Sequence, residues 1–115
     1  MVAPGPASIV VIPFPFSDLS GTKLRPAVVL ADAGRGDWLL CQVTSNPYSD
    51  SNAIRITNKD LQKGVLTSAV SFARPIKLFT ANETVMLKRV AILRDETFKA
   101  ILSTTIESLR KNMPK

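Results

Sequence analysis

The feature that most limits the fold of this chain is the spacing of its apolar residues. From Ile9 to Val90 they form short runs, several rich in β-branched residues, separated by turn-forming Gly, Pro, Asn, Asp and Ser. Such runs are typical of β-strands. The intervals between them are too short for the crossover helices that a parallel sheet requires. The pattern therefore predicts a small antiparallel barrel or sandwich.

Turn signals divide this part of the chain into separate strands. Gly34 and Gly36, on either side of Arg35, predict a hairpin between the second and third strands. Turn-forming residues at 58–60 and at Gly64 follow the fourth strand and end it. The expected strands cover residues 9–16, 26–30, 38–44, 53–57, 69–73, 76–80 and 85–90.

The end of the chain has a different period. Apolar residues recur there at steps of three and four, which indicates one amphipathic helix over residues 96–111. Asp95 is the expected N-cap, while Glu96 and Arg110 complement the helix dipole. The predicted fold class is mainly β with a C-terminal helix, in a single domain over residues 1–115.

The residue inventory excludes several kinds of site. The chain has no histidine and one cysteine, Cys41, which lies in an apolar run. A disulfide framework, an ordinary zinc site and a Cys-His nucleophile are therefore excluded, and we expect no metal or other cofactor. There is no secretory signal pattern and no apolar run of about 18 residues, so a cytoplasmic location without membrane contact is expected.

The charge points to an anionic partner. The formal net charge is +6, and residues 1–58 carry four basic and four acidic side chains, so the excess lies after Asn58. Some of the basic residues there, including Arg74, are expected to contact phosphates. The alternative is a surface kept soluble by its charge. Because only 6% of residues are aromatic, nucleic-acid contacts should depend more on charge than on stacking.

Arg25 and Thr44 could each serve phosphate chemistry, although local pattern alone favours a structural role for both. Arg25 follows a turn-rich loop and precedes Pro26, which favours an extended backbone, and its guanidinium is a rigid fork suited to phosphate. The alternative is a pair with Asp18 or another surface carboxylate. Thr44 ends the third strand, where its hydroxyl could donate to a phosphoryl oxygen or be satisfied by nearby backbone. Lys23 could steer RNA or remain solvated.

Three segments, in order, resemble one family. Residues 12–30 read IPFPFSDLSGTKLRPAVVL, residues 42–45 read QVTS, and residues 71–80 read SFARPIKLFT. Together they are similar to the motifs of PemK/MazF-type toxins, the ribonuclease halves of toxin–antitoxin pairs. The resemblance extends over about residues 8–110.

The resemblance implies an SH3-like antiparallel β-barrel of the MazF/CcdB type that forms a homodimer. It also implies metal-independent cleavage of single-stranded mRNA at short sequences, through attack of the 2′-OH, and neutralisation by a cognate antitoxin. By motif position, Arg25 and Thr44 match the catalytic arginine and threonine. The expected RNA-binding residues are Asp18, Ser20, Lys23, Ser45, Ser71 and Lys77.

Two other readings remain open at this point. One is a non-catalytic barrel of the same class that binds a protein such as gyrase, or binds nucleic acid without cutting it. The other is an SH3-like module for proline-rich peptides, which the scarcity of aromatic residues disfavours.

RNA cleavage also needs proton carriers other than the usual histidine pair. Asp18 is a candidate base by position only.

Overall fold

The computed structural model describes residues 4–15 and 22–115. Within these residues, seven strands are followed by one α-helix, and two single turns of 3₁₀ helix lie between strands. The strands are β1 Ser8–Pro15, β2 Thr22–Gly34, β3 Asp37–Thr44, β4 Ile54–Ile56, β5 Leu61–Gly64, β6 Ser71–Asn82 and β7 Lys88–Leu93. The 3₁₀ turns are Asn58–Asp60 and Glu83–Val85, and the helix α1 is Asp95–Arg110. The mainly β fold with a C-terminal helix is confirmed.

The strands form one antiparallel sheet in the order β4-β6-β3-β2-β1-β7-β5. β4 and β5 occupy opposite edges of the sheet, yet only residues 57–60 separate them in the chain. Because an extended residue spans at most about 3.6 Å, the two edges must lie close together. The sheet therefore curls into a half-barrel.

One face of the curled sheet packs against α1. Its buried residues come from every strand, and the helix contributes Ile101, which is fully buried among them. Two threonines attach the helix to the sheet by hydrogen bonds. The Thr105 hydroxyl donates to the Pro75 carbonyl oxygen at 2.7 Å, and the Thr97 hydroxyl donates to the Asp60 carboxylate at 2.8 Å. We call this face the helix side.

The other face carries a second buried cluster. Side chains on a strand alternate between faces, so this cluster contains the strand neighbours of the helix-side residues. Its members are Val10, Ile12, Ala27, Val29, Leu40 and Met86, with Trp38, Phe79 and Ala81 packed against them. Phe14 meets Phe79 edge to face on this side, with the ring centroids 5.1 Å apart. We call this face the open side, and it carries the candidate site.

The predicted hairpin between the second and third strands is confirmed. Its two central residues, Arg35 and Gly36, have φ angles of 56° and 80°, and positive φ at both is the requirement of a type I′ turn. Gly64 also has positive φ, 85°. A Cβ atom there would collide with the carbonyl oxygen of Val90, so glycine is needed where β5 meets β7.

Several sequence-based boundaries were wrong. The two strands expected at residues 69–73 and 76–80 are one strand, β6, which passes Pro75 in a bulge of four residues opposite the single residue Gln42. β5 was not predicted. Asp95 is not the N-cap, because the helix already includes it and Arg94 takes that position. No helix in the described ranges is long and apolar enough to cross a bilayer.

Candidate functional site

Arg25 lies near the start of β2, and Thr44 is the last residue of β3. Because the two strands are antiparallel, these positions are at the same edge of the hairpin, away from its turn. Ala27 pairs with Gln42, and continuing that register by two residues aligns Arg25 with Thr44. Residues two apart on a strand share a face, so both side chains belong to the open side. Facing residues of antiparallel strands have Cβ atoms about 4.5–5.5 Å apart. Arg25 and Thr44 lie two residues beyond the last β2–β3 pair, Ala27 with Gln42, so a guanidinium and a hydroxyl belong to the same end of this face.

Two irregularities in the β2–β3 hairpin create this alignment. At the turn, Gly34 pairs with Asp37, and the register then shifts by one residue at each of two places between Val29 and Gly34. With the register of the turn unchanged, Arg25 would lie beyond the last residue of β3. The bulges therefore bring Arg25 level with Thr44.

Thr44 is buried, 4% exposed, and its hydroxyl is held in place. The Oγ1 atom accepts a hydrogen bond from the backbone N–H of Asn46 at 3.1 Å. A hydroxyl that accepts through its oxygen can still donate its proton. The Thr44 hydroxyl can therefore donate to a phosphate oxygen while its own position stays fixed.

A polar network occupies the next row on the open side. Arg74 Nε donates to Asp50 Oδ2 at 2.9 Å, and Arg74 Nη1 donates to Gln42 Oε1 at 3.2 Å. The hydrogen bond from Arg74 lowers the pKa of Asp50 and outweighs burial, which acts to raise it. Because its charge is matched by Asp50, Arg74 is less suited to hold phosphate than the sequence suggested.

The loop after β3 contains a strained turn. The Asp50 N–H donates to the Pro47 carbonyl oxygen at 2.9 Å, and the two residues between them, Tyr48 and Ser49, have φ angles of 53° and 61°. Positive φ at both central positions is type I′ geometry, which normally selects Asn-Gly. For residues with a Cβ, the left-handed region costs roughly 1–2 kcal/mol each. The rest of the loop must hold this turn in place.

Three of the predicted RNA-binding residues lie near Arg25 and Thr44 and are exposed. Lys23 is two residues before Arg25 on the same face of β2. Ser45 follows Thr44 directly. Lys77 lies in the bulge of β6 that faces Gln42. The structure therefore brings Lys23, Ser45 and Lys77 to the surroundings of the candidate site.

Ser71, by contrast, is not brought to this surface. Ser71 is 4% exposed and pairs with Ile56 of the helix-side core. It thus lies on the opposite face of the sheet from Thr44, and we leave it out of the RNA-contacting set. Asp18 and Ser20 lie outside the described residues, so their contacts with RNA stay predictions.

Sequence reasoning missed part of the site. Asp50 and Tyr48 were not singled out, because their partner Arg74 is more than 20 positions away and no local pattern reveals the contact. Arg55 was counted only as a charge. It pairs with Phe72, which pairs with Thr44, so the row across the open side carries an arginine on each side of Thr44. An exposed cation on an edge strand is the only sequence signal that could have identified Arg55.

Two cavities border this region. An open, largely apolar cavity of about 520 Å³ lies between β1 and β6 on the open side, and Ile12, Phe14 and Phe79 are among its lining residues. A second cavity, of about 260 Å³, is reached by Arg25 but is otherwise lined from the opposite face of β2 by Leu24, Pro26 and neighbouring residues. Arg25 therefore borders this second cavity and not the one between β1 and β6.

The geometry is suited to binding and stabilising a phosphate. The guanidinium of Arg25 can donate two parallel hydrogen bonds to phosphate oxygens, and the hydroxyl of Thr44 can supply a third donor from the neighbouring strand. Lys23, Arg55 and Lys77 add exposed positive charge to the strands that carry this face. Donors held in fixed positions stabilise the charge that develops on phosphorus during displacement.

Comparison with solved structures shows which fold this is. A MazE–MazF complex from Deinococcus radiodurans matches with a TM-score of 0.71 at 18% identity, over 94% of this chain and 97% of that chain. An endoribonuclease in complex with its cognate antitoxin, from a mycobacterial species, matches with a TM-score of 0.71 at 11% identity, over 97% and 100%. The Mycobacterium tuberculosis toxin MazF-mt6 matches with a TM-score of 0.68 at 10% identity, over 90% and 96%.

The chain therefore has the MazF fold along nearly its whole length, and the predicted barrel type is confirmed. No protein-family model and no curated protein sequence matches it. At these identities the likeness establishes the fold alone.

Proposed function

We propose that this chain, as a single domain, is a toxin endoribonuclease of the PemK/MazF type that cleaves single-stranded RNA at short sequences. Two independent lines support the proposal. The fold matches MazF chains over nearly their full length, and the motifs containing Arg25 and Thr44 resemble those of the same family.

The observation that carries the proposal is the register of β2 and β3, which pairs Ala27 with Gln42 and, continued by two residues, aligns Arg25 with Thr44. The three segments that resemble the family are separated along the chain, and Arg25 and Thr44 lie in different ones. An arginine and a threonine that the motifs single out at distant positions thus fall on neighbouring strands and on the same face of the sheet, which supports a shared role. An arginine that only paired with a surface carboxylate would not need this alignment.

In the proposed reaction the ribose 2′-oxygen attacks phosphorus. The bond from the 2′-oxygen to phosphorus forms, and the bond from phosphorus to the 5′-oxygen breaks. The 2′-OH proton passes to a base, and the departing 5′-oxygen takes up a proton, so the products are a 2′,3′-cyclic phosphate and a 5′-hydroxyl. Arg25 stabilises the pentacoordinate phosphate as a fixed positive charge whose guanidinium donates hydrogen bonds to the phosphate oxygens. Thr44 donates a hydrogen bond that positions the scissile phosphate.

The proposal includes a homodimer and a cognate antitoxin, with the protein acting in the cytoplasm. Two of the structural matches are complexes with an antitoxin. The net charge of +6 would favour an acidic partner as well as RNA. Gel filtration tests the dimer, and a neighbouring short reading frame for an acidic, partly disordered protein would support the antitoxin.

The test is incubation of the purified protein with mixed-sequence single-stranded RNA in EDTA. We expect cleavage products that end in cyclic phosphate and 5′-hydroxyl, and a loss of about 100- to 1,000-fold in rate for Arg25→Ala. Arg110→Ala is the matched control, because it removes the same charge from an exposed position near the end of α1. Intact RNA with the wild-type protein, or equal cutting by Arg25→Ala, would overturn the proposal.

A further inference from the structure

We propose that Tyr48 is a stacking platform for a nucleobase next to the phosphate held by Arg25 and Thr44, and so contributes to sequence preference. The inference rests on the proposed function and adds a residue that contacts the base. Four features of the loop after β3 carry it: the position of Tyr48, the exposure of its ring, the strain in its backbone and the pairing of Arg74.

The loop places Tyr48 close to the candidate phosphate site in a defined conformation. The Thr44 hydroxyl accepts from the Asn46 N–H at 3.1 Å, and the Asn46 side chain accepts from the Tyr48 N–H at 2.9 Å. Side-chain caps of this kind close tight turns. Two consecutive caps therefore link the proposed catalytic hydroxyl to the backbone of the aromatic residue.

The ring of Tyr48 has one supported face. The guanidinium carbon of Arg74 lies 5.8 Å from the ring centroid, within the range of a cation–π contact. The residue is 60% exposed, so most of its surface is available to a ligand. An aromatic ring backed by a guanidinium resembles the stacking surfaces on which proteins bind unpaired bases.

Folding alone does not account for tyrosine at this position. Tyr48 and Ser49 hold two consecutive positive φ angles, where Asn-Gly would fit without strain. Because Tyr48 is mostly exposed, it packs little against the core in return. Strain that the surrounding structure maintains is concentrated at functional sites.

The charges around Tyr48 favour a base over a second phosphate. Asp50 pairs with Arg74 at 2.9 Å, so the cation behind the ring is already matched by a carboxylate. Asp50 also accepts from the Asn52 N–H at 2.9 Å, which fixes the carboxylate within its own loop. The platform is thus aromatic and close to neutral, beside the cationic phosphate site at Arg25.

The experiment compares cleavage of a randomised single-stranded RNA by the wild-type protein and by the double variant Tyr48→Asn with Ser49→Gly. The melting temperature of the double variant should be unchanged or higher, because the substitution relieves the strained turn. Its kcat/KM should fall about 5- to 150-fold, the range for losing one stacked base. The base preference at one position next to the cleavage site should weaken. Tyr48→Phe keeps the ring and should recover most of kcat/KM.

Leu109→Ala is the matched control, since it removes an exposed side chain from α1 and should change neither activity nor base preference. If the wild type cleaves RNA and the double variant cleaves it with the same kcat/KM and preference, the platform is overturned while the proposed function stands. A drop in melting temperature in proportion to the loss of activity would assign Tyr48 a purely structural role. If the wild type neither cleaves nor binds RNA, both proposals are overturned. If it binds RNA without cleaving it, the Kd for RNA of the wild type and of the double variant is compared instead, and an equal Kd overturns the platform.

Discussion

The contact between Asp50 and Arg74 predicts a measurable coupling between β6 and the loop after β3. Asp50→Asn removes the charge but keeps an oxygen that can accept from the Asn52 N–H. Arg74→Met removes the guanidinium and keeps an unbranched side chain. A double-mutant cycle of these two changes isolates the pair from the contacts that Arg74 makes with Gln42 and Tyr48.

The expected size follows from the burial of the two groups. Exposed ion pairs contribute about 0.2–1 kcal/mol, and hydrogen bonds to charged groups contribute about 1.5–3 kcal/mol. The side chains of Arg74 and Asp50 are 23% and 7% exposed, so this pair lies between the two classes, at about 1–2 kcal/mol. With an unfolding entropy of about 2.1 cal/mol/K per residue, that loss lowers the melting temperature by about 4–8 °C.

Urea unfolding of the four proteins at neutral pH measures the coupling free energy. We expect a value of about 1–2 kcal/mol that persists in high salt, because partly buried pairs are screened less than exposed ones. A coupling below about 0.5 kcal/mol, within the error of additivity, would refute this view of the loop. Unchanged stability in Asp50→Asn would refute it as well.

Three further predictions concern the rest of the chain. Gly64→Ala should destabilise the protein by more than about 2 kcal/mol, since the new methyl group meets the Val90 carbonyl; Gly34→Ala, with similar φ and open space, is the matched control and should lose clearly less in urea unfolding. Burial raises the pKa of the Cys41 thiol to about 12, so a thiol reagent at pH 8 should label it only in denaturant, and rapid labelling of the native protein would contradict the packing. Burial acts to raise the pKa of Asp60, but hydrogen bonds from Thr57 and Thr97 act the other way and leave that pKa below its usual value. The stabilising effect of the ionised carboxylate should therefore be present above about pH 4 and be lost as the pH falls through the lowered folded-state pKa. Asp60→Asn should then show a shallower acid decline in unfolding free energy, and an unchanged slope would argue against it.

Local patterns predicted much of the fold. The three- and four-residue steps from Phe98 to Leu109 identified α1 to within one residue at each end. The glycines around Arg35 identified the hairpin. β5 was missed because Leu61 is its only buried residue, so alternation could not reveal it. The N-cap was misplaced because Asp95 resembles a cap in type and position, while the helix begins one residue earlier than the pattern suggests.

The site required information that the sequence does not display. Motif positions identified Arg25 and Thr44, but their alignment depends on two bulges in the β2–β3 hairpin, which no residue pattern marked. The pairing of Asp50 with Arg74 joins segments that are distant in the chain. Tyr48 was not singled out, because its exposure and its strained turn are evident only from the fold.

The most direct test of the account is a double-mutant cycle on kcat/KM for RNA cleavage in EDTA, using Arg25→Ala and Thr44→Val. If both residues act on the same phosphate, each single variant should lose activity. The kcat/KM of the double variant should then be only slightly below that of the less active single variant, as for residues that work as a unit. Thr44→Ser should recover part of the activity, because it restores the hydroxyl. Wild-type protein that leaves RNA intact, or losses that multiply fully in the double variant, would contradict the account.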